Sequence, residues 1–241
     1  MNRIYFPESL DEFIEIKDQK FHKISSVLRM KTNDKLQIFD GKGISQIMQI
    51  SEISKNSIHL KRTNKIVKTE RKSPEVILAL ALIKPSRFEI AIEKTSELGV
   101  SKIYPMITEN TNSVFEKRIN KNRIERMKNI SISASEQCGN DFITSIENPL
   151  SFNEILGLQN KGTALIMYYE NLLEIREKQI DFKSFNRVII LIGPEGGFTD
   201  SEYRLLKDKS YVFDLGENIL RTETAAICAV HEVNNMIRSI L

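Results

Sequence analysis

The sequence predicts an α/β protein in which a carboxyl-terminal domain with a largely parallel sheet follows a small amino-terminal β-barrel. Three observations carry that expectation. Residues 1 to about 70 hold short strand candidates, closely spaced and joined by turns. After Pro74 the period changes, and continuous apolar runs alternate with helical faces. One such run, Arg187–Ile192, leads directly into Gly193-Pro194-Glu195-Gly196-Gly197-Phe198-Thr199. That stretch is too rich in glycine and too tight to be helical. Strand, bare turn and helix in succession is the layout of a small-molecule site at the carboxyl end of a parallel sheet.

The elements follow in order. Residues 35–40 form a strand that ends in the turn Gly41-Lys42-Gly43, and residues 44–53 and 57–62 continue the barrel. The polar stretch 63–74 reads as a linker, which gives domains at 1–70 and 74–241. Residues 76–83 are an apolar strand. Ser86 and Glu89 have capping-box spacing, and Phe88, Ala91, Ile92, Thr95 and Leu98 share a helical face that Gly99 ends. A strand fits 102–107. A helix fits 120–138, with Ile124, Met127, Ile130, Ala134 and Cys138 inward. Ser151 and Glu154 cap a short helix, and strands fit 163–168, 187–192 and 211–215. Thr199 and Glu202 form a further capping box. The chain closes with a helix from Thr222 that buries Ala226, Val230, Val233, Ile237 and Ile240.

Composition narrows the function. The chain has 241 residues, 41% hydrophobic and 28% charged, with net charge +3. No apolar run is long enough to span a membrane, and the first residues hold no secretory segment. A cytoplasmic protein is expected. Cys138 and Cys228 lack metal spacing and read as two buried thiols in a reducing compartment. His22, His59 and His231 are scattered, so no metal site is expected. The G-x-G-x-x-G, P-loop and G-x-S-x-G signatures are all missing. Lys61, Arg62, Lys65, Lys68, Arg71 and Lys72 crowd one stretch; Lys117, Arg118, Lys121, Arg123, Arg126 and Lys128 crowd another. Either run alone suits a solvated face. Two such runs beside a ligand site favour a polyanionic partner.

The turn at 193–199 is not alone. Leu215-Gly216-Glu217-Asn218-Ile219-Leu220-Arg221-Thr222-Glu223-Thr224-Ala225 is a second glycine-bearing segment that leads into the last helix. On its own, the first turn is as well explained by tight chain reversal as by a ligand. With the second, the ligand reading wins. Thr222 and Glu223 suit the start of a helix, as cap and first-turn acid. Arg221 gains nothing from the helix dipole there, which marks it for a substrate.

Gly193-Pro194-Glu195-Gly196-Gly197-Phe198-Thr199 and Ile219-Leu220-Arg221-Thr222-Glu223-Thr224-Ala225 resemble the two signatures of the bacterial 16S rRNA uridine-N3 methyltransferases, of the SPOUT or trefoil-knot class. The similarity extends to Arg3-Ile4-Tyr5, Phe21-His22, Val27-Leu28-Arg29, Asp40-Gly41, Glu97-Leu98-Gly99-Val100 and Glu136-Gln137. The resemblance implies a PUA-like RNA-binding barrel, a knotted methyltransferase domain, S-adenosylmethionine as cofactor, 16S rRNA or the small ribosomal subunit as partner, and a homodimer. It assigns the cofactor to Leu191, Ile192, Gly193, Pro194, Glu195, Gly196, Gly197, Leu215, Gly216, Ile219, Leu220, Thr222 and Ala226. Arg221 is the catalytic candidate, and Arg3, His22, Arg29, Lys61, Arg62 and Gln137 are the substrate candidates. Glu195 either bonds the cofactor or orders the turn. The chain departs from the family pattern at Asn140 and Asn218, where arginines are usual. A ribose 2′-O-methyltransferase of the same class and a non-catalytic RNA-binding assembly factor remain the alternative functions.

Overall fold

The computed structural model describes residues 1–8, 10–169 and 180–240, which divide into two units: Met1–Arg71 with Ser135–Ile143, and Lys72–Ala134 with Thr144–Leu241.

In the first unit β1 (Arg3–Tyr5), β2 (Phe13–Ile16), β3 (Lys35–Phe39), β4 (Ile44–Ile53), β5 (Ile58–Arg62) and β6 (Val67–Lys68) form one sheet, in the order β1-β3-β4-β5-β2, with β6 beside β4. It curls around Ile4, Ile14, Ile16, Leu36, Ile38, Met48, Ile50, Ile58 and Leu60. A register shift between Ile50 and Glu52 helps β4 bend. No pairing joins β1 to β2 among the described residues, so the barrel is half open. Residues read only as part of a strand-rich region hold a helix, α1 (Asp18–His22), which continues into a wider helical turn at Lys23–Val27. Its buried Ile24 belongs to the same core.

Residues 135–143 are built into this unit by charge. The Asp141 carboxylate accepts from the Arg3 guanidinium at 2.7 Å, from Thr69 Oγ1 at 2.9 Å and from Ser45 Oγ at 3.2 Å. Glu136 accepts from the Tyr5 N–H and pairs with Lys23.

The second unit holds β7 (Glu75–Ala81), α2 (Pro85–Glu97), β8 (Lys102–Ile107), α3 (Ser113–Lys117), α4 (Lys121–Cys138), β9 (Ser145–Ile146), β10 (Leu150–Ser151), α5 (Phe152–Gly157), β11 (Thr163–Tyr168), β12 (Arg187–Ile192), α6 (Asp200–Leu206), β13 (Tyr211–Phe213) and α7 (Thr222–Ile240). Every strand pair in its sheet is parallel, in the order β10-β8-β7-β12-β11-β13, with β9 beside β8. Strands covered on both faces lose the polar–apolar alternation of a one-sided sheet. That is why β7, β11 and β12 are apolar almost throughout. Leu78, Leu80, Ile166, Val188 and Ile190 pack with Phe88 and Ile92 of α2 and with Ala226, Val230 and Val233 of α7. Ile77, Ala79, Leu165, Ile189 and Leu191 pack on the other face with Phe152 and Ile155 of α5 and Leu206 of α6. Each buried aliphatic side chain contributes about 2 kcal/mol.

Three sequence expectations need correction. Ser86 and Glu89 do not form a capping box. Lys84 precedes the helix without a side-chain cap, Pro85 takes the first turn, and Glu89 is held instead by Arg126 at 2.7 and 2.8 Å. A proline with its φ already helical starts a helix without a cap. Cys138 is exposed and Cys228 half-buried, so neither is a core thiol. Cys138 stands at the last residue of α4, past the stretch whose face is covered. The strand expected over 211–215 stops at Phe213.

Candidate functional site

The sheet order places three carboxyl ends side by side. β12 lies between β7 and β11, and β13 flanks β11 on its other edge. The end of β11 with Tyr169, the turn after β12 and the loop after β13 therefore meet. Between them is an open cleft. It is lined by Tyr168 and Tyr169, by Ile192, Gly193, Pro194, Gly197 and Phe198, and by Asp214 to Gly216, Asn218 to Leu220, Thr222 and Ala225.

The first wall is the turn 193–198. Gly197 has φ +65°, a region glycine enters without penalty, and its N–H closes onto the Pro194 carbonyl at 2.9 Å. A Cβ on Gly193 would sit 3.2 Å from the Phe198 ring, so the bare position there makes room for the protein's own aromatic side chain. Phe198 is buried and meets Phe152 with ring centroids 5.8 Å apart. Asn110 Nδ2 donates to the carbonyls of Gly196 and Gly197 at 2.9 and 3.1 Å. Behind the turn, the expected capping box is present: Thr199 and Glu202 bond reciprocally at the start of α6. Buried Glu202 also accepts from the Glu109 N–H at 3.0 Å.

The second wall is the loop 214–220. Gly216 has φ +100° and open space about it, so its constraint is conformational. Its N–H donates to Asp214 Oδ1 at 2.9 Å. Ile219 is 82% exposed at the cleft. The loop ends at Arg221, whose carbonyl accepts from the Ala225 N–H at 2.8 Å as α7 begins. The Arg221 side chain is exposed and makes no hydrogen bond or ion pair among the described residues.

The floor carries titratable groups that sequence reasoning missed. Tyr168 Oη donates to Glu232 Oε2 at 3.1 Å. Burial raises the Tyr168 phenol far above its ordinary range, helped by the Glu232 charge. Burial also raises the Glu232 carboxyl, with the Asp214 charge adding to it and the Tyr168 hydrogen bond opposing it. Tyr169 stacks on Tyr203 at 4.6 Å.

Of the residues expected at the cofactor, Ile192, Gly193, Pro194, Gly197, Leu215, Gly216, Ile219, Leu220 and Thr222 line this cleft. Leu191 and Ala226 are fully buried in the two cores on either side of the sheet. Glu195 lies outside the lining and faces Arg87 of α2 at 3.5 Å. Gly196 points its carbonyl at Asn110. Tyr168, Tyr169, Phe198, Asp214, Asn218 and Ala225 line the cleft without having been assigned to the cofactor. Asn218, a departure from the family pattern, is thus at the cleft itself.

In the first unit, His22, Arg29, Lys61 and Gln137 are exposed. Arg3 is engaged with Asp141 and Gln37 and stacks 4.7 Å over Phe39. Arg62 reaches Gln46 Oε1 at 3.4 Å. Asn140, the other departure, caps its own turn: its Oδ1 accepts from the Phe142 N–H at 3.0 Å. Among the described residues no helix is long and apolar enough to cross a membrane.

Comparison with known proteins bears on both units. A model of the RNA methyltransferase domain matches residues 70–234, and one of the RNA methyltransferase PUA domain matches residues 16–61. A Rickettsia conorii protein named ribosomal RNA small subunit methyltransferase E is 35% identical, over 96% of this chain and 94% of its own. A Buchnera aphidicola protein of the same name, from the Acyrthosiphon pisum symbiont, is 32% identical over 97% and 93%. A crystal structure of the Neisseria gonorrhoeae protein of that name, bound to S-adenosylmethionine, superposes with a TM-score of 0.84 at 26% identity and covers 98% of both chains. A Legionella pneumophila methyltransferase in complex with the same cofactor gives 0.79 at 28% identity, over 97% of this chain and 96% of its own.

Proposed function

From the premise that this chain belongs to the ribosomal RNA small subunit methyltransferase E family, we propose that it methylates N3 of one uridine in 16S rRNA, with S-adenosylmethionine as donor. The observation that carries this reading is the cleft itself: both glycine-bearing segments border one opening at the carboxyl ends of β11, β12 and β13. Its lining suits the cofactor. Ile192, Phe198, Leu215 and Leu220 offer apolar walls for a flat base. Threading of the chain through itself, which the family implies, belongs to the same proposal.

The bound cofactor supplies an electrophilic methyl group on a sulfonium. What remains for the protein is alignment and charge. Uracil N3 carries a proton at neutral pH and becomes a good nucleophile only as that proton leaves. A guanidinium beside O2 or O4 stabilises the uridinate that results. What supports Arg221 in this role is its exposure at the end of the cleft loop and the absence of a partner for it among the described residues, although it does not line the cleft. RNA binding falls to the first unit, where His22, Arg29, Lys61 and Gln137 are exposed and Arg3 and Arg62 are partly engaged with other side chains. The family also implies a homodimer. The apolar stripe of α7 does not argue for it, because Ala226, Val230, Val233 and Ile237 are consumed in the chain's own core. Sedimentation at micromolar concentration should give twice the mass of one chain, and a single-chain mass would refute the dimer.

The decisive test of function is mass mapping of rRNA nucleosides from cells that lack the protein. N3-methyluridine should disappear from 16S rRNA and return when the gene is restored. Its persistence, or loss of a ribose methyl instead, would overturn the reading.

A further inference from the structure

We infer that Arg87 is a positioning residue that ties the two walls of the cleft together from behind. The inference rests on the cleft being the cofactor site. Arg87 lies in the first turn of α2, where the helix dipole disfavours a cation. Its presence there is therefore not explained by the helix it belongs to. β7 and β12 are neighbours, with Leu80 opposite Ile192, so the start of α2 emerges beside the turn 193–198. From that place the guanidinium faces two carboxylates at once. Nη1 is 3.5 Å from Glu195 Oε1, in the first wall. Nε is 3.7 Å from Glu223 Oε1, at the second residue of the helix that ends the second wall.

Glu223 makes this more than a surface pair. Its side chain is only 11% exposed, and Oε2 is buried with no hydrogen-bond partner. A buried carboxylate short of partners is costly, and removal of the Arg87 countercharge leaves that cost uncompensated. Glu195 would then stand as a second negative charge against it with nothing between them. Both walls would be pushed apart at their bases. Arg87 itself does not line the cleft, so its effect on a ligand passes through the two glutamates. A planar fork with five donors suits such a bridge better than an ammonium does.

The test measures S-adenosylmethionine affinity calorimetrically for the wild type, Arg87→Ala, Arg87→Lys, Glu223→Gln and the double variant Arg87→Ala/Glu223→Gln. Arg87→Ala should weaken binding about tenfold, less than loss of a fully buried pair would cost because Arg87 is itself a third exposed to solvent. Arg87→Lys should lie between it and the wild type. Glu223→Gln should stay within about threefold, since an amide of equal size needs no countercharge, and the double variant should recover most of the loss. In turnover, Arg87→Ala should raise KM for the cofactor and leave kcat at saturation nearly unchanged. Equal losses in Arg87→Ala and the double variant would overturn the inference, as would wild-type affinity in Arg87→Ala. Should Arg87→Ala not unfold cooperatively, the comparison is made between Arg87→Lys and Arg87→Lys/Glu223→Gln, where rescue by the amide supports the clamp and its absence refutes it. Failure of the wild type to bind the cofactor at all would instead strike the functional reading on which this rests.

Discussion

Of the cleft's two walls, the turn at 193–198 is braced by neighbours on several sides, whereas the loop at 214–220 makes few hydrogen bonds among the described residues. In the first, Asn110 grips two carbonyls, Phe198 is buried against Phe152, Gly197 closes onto Pro194 and a capping box anchors the exit. In the second, Gly216 N–H to Asp214 is the one side-chain hydrogen bond among the described residues, and residues 216–219 are exposed. A braced wall meets its ligand without ordering itself; a loose one incurs that entropy on binding. The large apolar surface that Ile219 leaves in water is what a ligand would cover to offset it. We propose that the first wall fixes where a ligand sits and that the second closes on it and carries Arg221 with it.

The largest expected effect probes that last step. Arg221→Ala should slow single-turnover methyl transfer by about 10²-fold or more, the scale of one lost oxyanion-type donor. Cofactor affinity should change far less. If the variant loses affinity and keeps its rate at saturating cofactor, Arg221 belongs to the cofactor pocket and not to the substrate.

Next come the two glycines. Gly197→Val places a β-branched residue at φ +65° in the braced wall, which cannot relax around it. Cofactor binding should fall below detection while unfolding stays cooperative. Gly216→Ala meets open space, although at φ +100°. The strain of about 1–2 kcal/mol is shared with a loop able to shift, so affinity should drop about tenfold at most. Similar losses in both variants would erase the contrast between the walls. Amide hydrogen exchange sharpens it further. Added cofactor should protect residues 214–221 more than residues 193–198, because only the former have protection to gain.

A smaller effect concerns the first unit. Replacing Lys61 and Arg62 with Ala should weaken RNA binding and lower its salt slope by at most about two units, one for each phosphate contact. Arg62 is partly engaged with Gln46, so its share should be the lesser. An unchanged slope would move the RNA surface elsewhere.

The sequence showed the strands of the second unit well, and for a reason. β11 and β12 are buried on both faces, so their apolar runs are continuous and their bounds match the expectation residue for residue. The two cleft segments were legible because positions at positive φ, such as Gly197 and Gly216, favour glycine. What periodicity does not contain is strand order. Tyr168 and Tyr169 reach the cleft only because β11 lies between β12 and β13, so nothing local marked them. Asn110 and Arg87 were hidden for the same reason, each acting across the fold on residues far along the chain. Arg87 did leave a trace: a cation in the first turn of a helix needs an explanation. The Ser86–Glu89 spacing misled because Glu89 has a better partner in Arg126, about 37 residues away, than in its own helix end.

Glu89 and Glu232 supply the smallest prediction, and the pair has opposite signs. The Arg126 hydrogen bond chiefly, with the nearby Arg126 and Arg123 charges, holds the Glu89 carboxyl below its usual range. A depressed carboxyl binds fewer protons folded than unfolded. Its contribution to stability is therefore present above the unfolded value, near pH 4, and is lost as pH falls through the folded one. Glu89→Gln should lower Tm by about 3 °C or less at pH 7, since Arg126 is exposed and solvent screens the pair. The deficit should shrink toward pH 3. Glu232 is raised by burial beneath the loose wall, so its contribution is fully present below the unfolded value and is lost as pH rises through the folded one. Glu232→Gln should accordingly compare best with the wild type at pH 7 and worst near pH 4. Melting curves of the two variants between pH 3 and 7 should slope in opposite directions relative to the wild type. Parallel slopes would mean that burial at the cleft floor does not govern Glu232 and that the floor is wetter than its packing implies.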